Sequence, residues 1–179
     1  GDDVNEYNLS TAWDVTTASY VRNFSVSSQE NSPMGVFFKS DGTQMYVIGA
    51  TGADVNEYSL STAWNVSTAS YVRNFSVAGQ DASPTGVSFK SDGTKMYVIG
   101  TTVDAVWAYT LSTAWNISTA SFAYDYGLFS VAAQEATPVG VFFKPDGTKM
   151  YVTGRTGDDV NEYNLSTAWN ISTASYNQN

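Results

Sequence analysis

The sequence predicts an all-β fold built from tandem antiparallel units. Two short apolar runs around an Asp-Gly turn occur three times, in residues 33–49, 84–100 and 138–154. Asp-Gly between apolar runs favours a β-hairpin, because glycine adopts positive φ without a Cβ clash. The runs are rich in Val, Ile, Phe and Tyr, which suit a buried pleated surface. Gly, Pro and Asp-Gly also recur too often along the chain for helices to form.

An internal repeat organises the whole chain. Residues 1–51 and 52–102 align without a gap and are identical at 39 of 51 positions, which indicates recent duplication. Residues 103–156 form a third unit, with three extra residues around positions 124–128, and residues 157–179 form a partial fourth unit. We therefore treat residues 1–179 as a single repeat domain.

Each unit is predicted to contain four strands. In the second unit they are residues 55–60 and 70–77, followed by the hairpin strands 86–90 and 95–100. Tandem units of four strands and 40–50 residues are typical of β-propeller blades. With the hairpin strands innermost, the chain holds about three and a half four-stranded antiparallel blades.

Two segments resemble known repeats. Residues 145–153 (PDGTKMYVT) resemble the Pro-Asp-Gly-x-x-x-Tyr-Val-Thr-Asn hairpin of surface-layer-type propeller repeats, although Gly154 stands where that family has Asn. The Leu-Ser-Thr-Ala-Trp segment resembles tandem repeats of environmental bacterial and phage proteins. The resemblance implies a propeller fold and, since propellers host many activities, little about function.

The predicted ends of the repeat do not complement each other. The chain begins with the two outer strands of a blade and ends with a blade that has its own outer strands, so the ends cannot pair into a closed ring. Either the chain belongs to a longer one, or copies associate so that the half-blade meets strands of a neighbour. Unpaired strand edges are templates for such pairing. Simple truncation is the alternative.

Composition narrows the function classes. The net charge of −9 without a basic cluster argues against nucleic acid as a partner. No apolar run is long enough to span a bilayer, so membrane insertion is not expected. The chain has no Cys and no His. This excludes disulfides, thiolate metal sites, cysteine nucleophiles and a Ser-His-Asp triad.

Tryptophan recurs once in every unit, just after the first strand. These residues are predicted either to stack on sugars or to pack between blades, where a buried Trp contributes a few kcal/mol. Trp107 differs, because it stands where the other units have Asn. It is predicted to be exposed binding surface or to pack against residues 124–128. The candidate ligand-binding residues are Trp13, Trp64, Trp107, Trp115 and Trp169.

Three sets of polar residues recur with the repeat. Glu30, Asp81 and Glu135 are predicted to be turn-forming acids, with paired carboxylates for glycoside hydrolysis as the alternative. An acidic turn gives weak calcium candidates, with a solvated turn as the alternative. Those candidates are Asp2, Asp3, Asp54, Asp158 and Asp159, near Glu6, Glu57 and Glu162. The candidate glycosylation sites, which share one loop position, are Asn65, Asn116 and Asn170.

These observations predict a structural or adhesion scaffold of the cell or virion surface, which is not an enzyme and requires no cofactor. A more specific form is a subunit of an extracellular filament, joined by strand pairing of its terminal half-blades. The alternative is a carbohydrate- or receptor-binding module, and a glycoside hydrolase or lyase is less favoured. A glycoside hydrolase or lyase would require one or two blades to carry carboxylates that the others lack.

Overall fold

The computed structural model describes residues 1–125 and 127–179, and Tyr126 lies outside the described residues. Within them the chain forms β-strands and four single-turn 3₁₀ segments, and every strand pair is antiparallel. The predicted all-β antiparallel fold is confirmed. No helix of the described part is long and apolar enough to cross a membrane.

The strands are numbered in chain order. They are β1 (Asp3–Leu9), β2 (Ala18–Ser25), β3 (Pro33–Phe38), β4 (Gln44–Gly49), β5 (Asp54–Leu60), β6 (Ala69–Ser76), β7 (Pro84–Phe89), β8 (Lys95–Gly100), β9 (Ala105–Leu111), β10 (Ala120–Phe122), β11 (Leu128–Ser130), β12 (Pro138–Phe143), β13 (Lys149–Gly154), β14 (Val160–Leu165) and β15 (Ala174–Gln178). The 3₁₀ segments are Val15–Thr17, Val66–Thr68, Ile117–Thr119 and Ile171–Thr173.

Consecutive strands pair into four sheets. Sheet I holds β1 and β2, sheet II holds β3 to β6, sheet III holds β7 to β11, and sheet IV holds β12 to β15. Sheets II and IV have the four strands predicted for a unit. In sheet III the prediction of one outer strand is wrong. There β10 and β11 both pair with β9, because the extra residues of this unit interrupt the outer strand.

The hairpin strands lie innermost, as the sequence predicts. Strand β7 packs between β3 and β12, and glycines allow the backbones to approach closely. A Cβ atom on Gly86 would lie 2.9 Å from the carbonyl oxygen of Val139, which is closer than real Cβ contacts. The sheets of the described residues form an open series without closing into a ring. The number of blades therefore stays a prediction.

The hydrophobic core lies between consecutive sheets, not within one. Alternate residues along each strand point to opposite faces of a sheet, so every sheet has two apolar faces. In sheet II, Tyr46, Ile48 and Val55 pack forward against sheet III. Tyr58 and Leu60 of the same sheet pack back against sheet I. A matching core between sheets III and IV completes the described series.

The Asp-Gly turns have the conformation that the sequence predicts. Gly42 adopts φ +72°, and Asp41 accepts a hydrogen bond from the Thr43 N–H at 3.0 Å. The Lys39 ammonium lies 2.8 Å from Asp41. Hydrogen bonds from Lys39 and Thr43 hold the pKa of Asp41 well below its usual range. The turns at Asp92 and Asp146 repeat this arrangement.

Candidate functional site

Three of the four repeated tryptophans lie over the glycine of a hairpin turn. The backbone N–H of Trp64 donates to the Gly42 carbonyl oxygen at 2.9 Å. The Trp64 indole stacks on Phe38 with ring centroids 5.5 Å apart. Trp115 and Trp169 repeat both contacts. Their φ values are between 64° and 67°, a left-handed conformation that is uncommon for a bulky residue. These contacts are those of a packing residue, although Trp64 is still 52% exposed whereas Trp169 is buried, and sugar stacking by these residues stays a prediction.

Trp13 has no turn to cover. No hairpin turn of the described residues lies under Trp13, which is 96% exposed, whereas Trp169 is 9% exposed. The same backbone conformation is nevertheless retained, with φ 66°. The conformation is therefore set by the local sequence and does not require the packing partner.

Trp107 packs against Phe122, just before the extra residues of the third unit. Its ring lies 5.7 Å from that of Phe122, and its backbone is paired with Leu128. The indole N–H of Trp107 is buried without a hydrogen-bond partner among the described residues. The ring of Tyr124 also contacts that of Phe122 and is largely exposed. Whether this cluster binds a ligand stays a prediction, and any part that Tyr126 plays lies outside the described residues.

The repeated acids before the inner strands are buried and hold the chain together. The Glu135 carboxylate accepts hydrogen bonds from the N–H groups of Thr137 at 2.7 Å, Thr156 at 3.0 Å and Gly157 at 3.4 Å. Burial raises the pKa of Glu135, but these hydrogen bonds outweigh it and the pKa lies below its ordinary value. Glu30 makes the same contacts with Ser32, Thr51 and Gly52. Each carboxylate therefore joins the segment that precedes a hairpin to the turn that follows the same hairpin.

The candidate calcium ligands are not brought together. Asp54 accepts hydrogen bonds from the side-chain amides of Asn56 and Asn74, and Asp159 accepts them from Asn161 and Asn179. Asp2, Asp3 and Asp158 are not part of these contacts. Within the described residues no group of three or more His, Cys, Asp or Glu residues could hold a metal ion.

The candidate glycosylation sites cap the 3₁₀ segments. The Asn65 side-chain oxygen accepts hydrogen bonds from the N–H of Ser67 at 3.1 Å and from its hydroxyl at 2.7 Å. Asn116 and Asn170 do the same for Ser118 and Ser172. Asp14 fills this position in the first unit and caps Thr16 equally well. The Asn-x-Ser pattern is therefore explained by capping, and glycosylation stays a prediction.

The two ends of the series expose surfaces that the interior sheets bury. On sheet I, Tyr7 is 55% exposed and Val15 is 77% exposed, whereas their counterparts Tyr58 and Val66 are 0% and 2% exposed. We call this surface the trailing face. It is formed by Tyr7, Leu9, Trp13, Asp14 and Val15.

The opposite surface belongs to sheet IV. Val160 is 52% exposed there, whereas its counterpart Val55 is 0% exposed. Phe142 beside it is 60% exposed. We call this surface the leading face. It is formed by Phe142, Lys149, Tyr151, Val160 and Glu162.

Two kinds of hydrogen bond join consecutive sheets inside the chain. The Tyr46 hydroxyl donates to the Trp115 carbonyl oxygen at 2.6 Å, and the Tyr97 hydroxyl donates to that of Trp169 at 2.8 Å. A glutamate accepts from the 3₁₀ segment of the next sheet. The Val66 N–H lies 3.1 Å from the Glu6 carboxylate, and the Ile117 N–H lies 3.4 Å from that of Glu57.

The cover of sheet III changes the proton affinity of Glu57. Burial raises the pKa of Glu57 above its ordinary value, and the charge of Arg73 partly offsets the rise. Glu162 occupies the same position on the leading face, which no sheet of the described residues covers. A hydrogen bond from Lys149 lowers the pKa of Glu162 below its ordinary value. The leading face thus keeps the glutamate that joins interior sheets, and there it is bonded to Lys149 and Asn177.

Most residues of the end faces were not singled out from the sequence, apart from Trp13 and the acidic turn that includes Glu162. The signal that could have found them is the repeat itself. Tyr7 and Leu9 align with Tyr58 and Leu60, and Tyr151 and Val160 align with Tyr46 and Val55. A position that is apolar in every copy but covered only in the interior copies marks an end face.

Comparison with known proteins shows which fold the chain has but assigns it to no family. No family model and no curated protein matches the chain. A protein of Lactobacillus plantarum matches with a TM-score of 0.63 and 14% identity, over 99% of this chain and 48% of its own. A Bacteroides fragilis structure, named as a candidate 6-phosphogluconolactonase, matches with a TM-score of 0.61 and 15% identity, over 98% of this chain and 47% of its own.

A β-propeller domain from Myceliophteria thermophila also matches, with a TM-score of 0.55 and 10% identity, over 82% of this chain and 42% of that domain. The chain thus spans about half the length of the first structures it matches. At these identities the likeness shows the fold alone. The resemblance to surface-layer-type and phage repeats finds no support in a family match and stays a prediction.

The expectation that the chain is not an enzyme is wrong. It rested on near-identical units and on the lack of His and Cys, yet structures of the same fold are named as candidate 6-phosphogluconolactonases. Fold and repeat regularity therefore do not exclude catalysis, because function lies in individual sites and not in the architecture. What the chain shares with these structures is an all-β, propeller-like arrangement of antiparallel sheets.

Proposed function

We propose that the chain is a structural scaffold of the cell or virion surface, which assembles with further copies of itself through its two end faces into a filament. The observation that carries this proposal is the exposure of Tyr7, Leu9 and Val15 on sheet I, whose counterparts are buried between the interior sheets. A contiguous exposed apolar surface of this kind is typical of an interaction site.

Strand pairing supports the same proposal. Strand β5 pairs with a neighbour on each side, whereas β1 pairs only with β2 among the described residues. A recess of about 250 Å³ lies beside this edge, lined in part by Val4, Asn5 and Met34. An unpaired strand edge is a template for pairing, so a strand of a neighbouring copy is its proposed partner.

The energetics favour association through several contacts at once. Burying one Val, Leu or Phe side chain contributes about 1.5–3 kcal/mol. Association costs about 4–15 kcal/mol in lost translational and rotational freedom. One exposed side chain is therefore insufficient, but the four apolar residues of the trailing face together with the three of the leading face can exceed the cost.

Sedimentation velocity of the chain over a range of concentrations tests the proposal. We expect mass to grow with concentration, and Val15→Asp to abolish the growth, because it places a charge in the buried contact. Val103→Asp is the matched control, since Val103 is also exposed but lies on a turn of sheet III. A wild-type chain that stays monomeric at all concentrations would contradict the proposal.

A second candidate is hydrolysis of a phosphorylated sugar lactone. It is favoured by the names of two structural neighbours and by a cavity of about 160 Å³ lined by Arg155, Ser83, Thr101 and Thr137. Arg155 is in no ion pair among the described residues, and a guanidinium suits a phosphate. Proton release from 6-phosphogluconolactone tests it. This candidate requires a rate above that of buffer that Arg155→Ala removes, and a rate equal to that of buffer would reject it.

A further inference from the structure

We infer that copies of this chain join head to tail, with the leading face of one copy packed on the trailing face of the next as consecutive sheets pack inside the chain. This inference rests on the proposed function and specifies its partner and polarity. Its basis is that the end faces keep the polar groups that join the interior sheets. The leading face has one set of these groups, and the trailing face has the groups that would bond to them.

The leading face carries the groups that reach forward. Tyr151 occupies the position of Tyr46 and Tyr97, whose hydroxyls donate to the tryptophan carbonyl of the next sheet. Glu162 occupies the position of Glu57, which accepts an N–H from the next sheet. Without a following sheet, Glu162 is instead bonded to Lys149 and Asn177.

The trailing face carries the groups that these would meet. The carbonyl of Trp13 corresponds to those of Trp115 and Trp169, and the N–H of Val15 corresponds to that of Ile117. In the inferred junction the Tyr151 hydroxyl donates to the Trp13 carbonyl oxygen of the next copy. The Val15 N–H of that copy donates to the Glu162 carboxylate.

Aromatic packing fits the same junction. Inside the chain, Phe37 and Tyr46 of sheet II both stack on Trp115 of sheet III, each with ring centroids 6.4 Å apart. Phe142 and Tyr151 are their counterparts on the leading face. The junction would place Trp13, the most exposed large apolar residue of the described chain, against these two rings.

Charge distinguishes this junction from the interior ones. Asp14 stands on the trailing face where the interior sheets have Asn65, Asn116 and Asn170. No lysine or arginine of the described residues forms an ion pair with Asp14. Lys149 occupies the position of Lys95, whose ammonium lies 3.2 Å from the Trp169 carbonyl oxygen. In the junction, Lys149 would therefore lie beside Trp13 and Asp14 of the next copy, where opposite charges attract.

The two faces differ, so the contact is heterologous. A heterologous contact joins all copies in the same direction, and it gives a ring if the rotation closes and an open filament if it does not. Pairing of two trailing faces would instead bring two Asp14 carboxylates and two Trp13 indoles together, without an acceptor for either Val15 N–H.

Two blocked variants test the polarity. Val15→Asp keeps the leading face intact, and Val160→Asp keeps the trailing face intact. We expect each variant alone to be monomeric, and an equimolar mixture to form a one-to-one heterodimer that grows no further. Either variant forming a dimer by itself would overturn the inference, and so would a mixture that stays monomeric while the wild-type chain associates. Phe142→Ser replaces Val160→Asp if the latter fails to fold.

The charge contact has its own test in the same mixture. Asp14→Asn and Lys149→Gln use residues that the repeat already has at these positions, so the fold and the cap are kept. We expect each change to weaken the heterodimer by up to about fivefold and the two together to weaken it no further, because an exposed ion pair is worth little. If the effects of the two changes on the heterodimer affinity were additive, Asp14 and Lys149 would not form an ion pair. A wild-type chain that never associates would refute the proposed function itself. Failure of the proposed function can therefore be distinguished from failure of the head-to-tail inference.

Discussion

Replacing Trp169 by alanine should lower the free energy of unfolding by about 3–5 kcal/mol, the usual cost of removing a buried aromatic side chain. Trp169 is 9% exposed, packs on Phe143 and covers the turn at Gly147. Its carbonyl also accepts the hydrogen bond from Tyr97. Urea unfolding followed by circular dichroism measures the change.

Trp13 provides the matched control, because it has the same sequence context and backbone conformation but is 96% exposed. Trp13→Ala should change the free energy of unfolding by less than about 0.5 kcal/mol, as is usual for surface positions. Equal unfolding midpoints for Trp169→Ala and Trp13→Ala would contradict the packing role and would revive sugar stacking for the whole set.

Gly93→Ala should destabilise the chain by at least about 2 kcal/mol, for two reasons that add. Gly93 has φ +74°, where a Cβ atom costs about 1–2 kcal/mol. A Cβ atom there would also come within 2.4 Å of the Trp115 ring, which cannot move without losing its contact with Phe89. The shift in thermal unfolding midpoint measures the effect.

Gly79→Ala is the control for this change, since a Cβ atom on Gly79 meets nothing within 4 Å. Its effect should be within about 0.5 kcal/mol of zero or slightly stabilising, through the unfolded state. A Gly93→Ala chain as stable as the Gly79→Ala chain would show that the indole does not hold the turn.

Much of the fold could be predicted because each unit carries its own local signals and repeats them. Asp-Gly turns and β-rich runs define each hairpin without reference to distant residues. The divided outer strand of sheet III could not be predicted, because three extra residues around positions 124–128 can either bulge or end a strand. Their sequence does not decide between these outcomes.

The candidate sites were harder to predict, since each depends on contacts between distant residues. The sequence leaves open whether Trp64 binds a ligand or packs, because nothing local shows that it lies over Gly42. The Asn-x-Ser pattern looks like a modification signal until Asp14 is seen to make the same cap. The end faces could not be predicted from the sequence, because it does not show which side of each sheet is covered. That information comes from the packing of sheets II and III.

The most direct test of the central claim is electron microscopy of the purified chain at near-neutral pH and a concentration at which it associates. We expect particles or fibres in which every copy has the same direction, with one chain per repeat and the Trp13 indole between Phe142 and Tyr151 of the preceding copy. Isolated monomers at all concentrations, or copies related by a two-fold axis through matching end faces, would contradict the account.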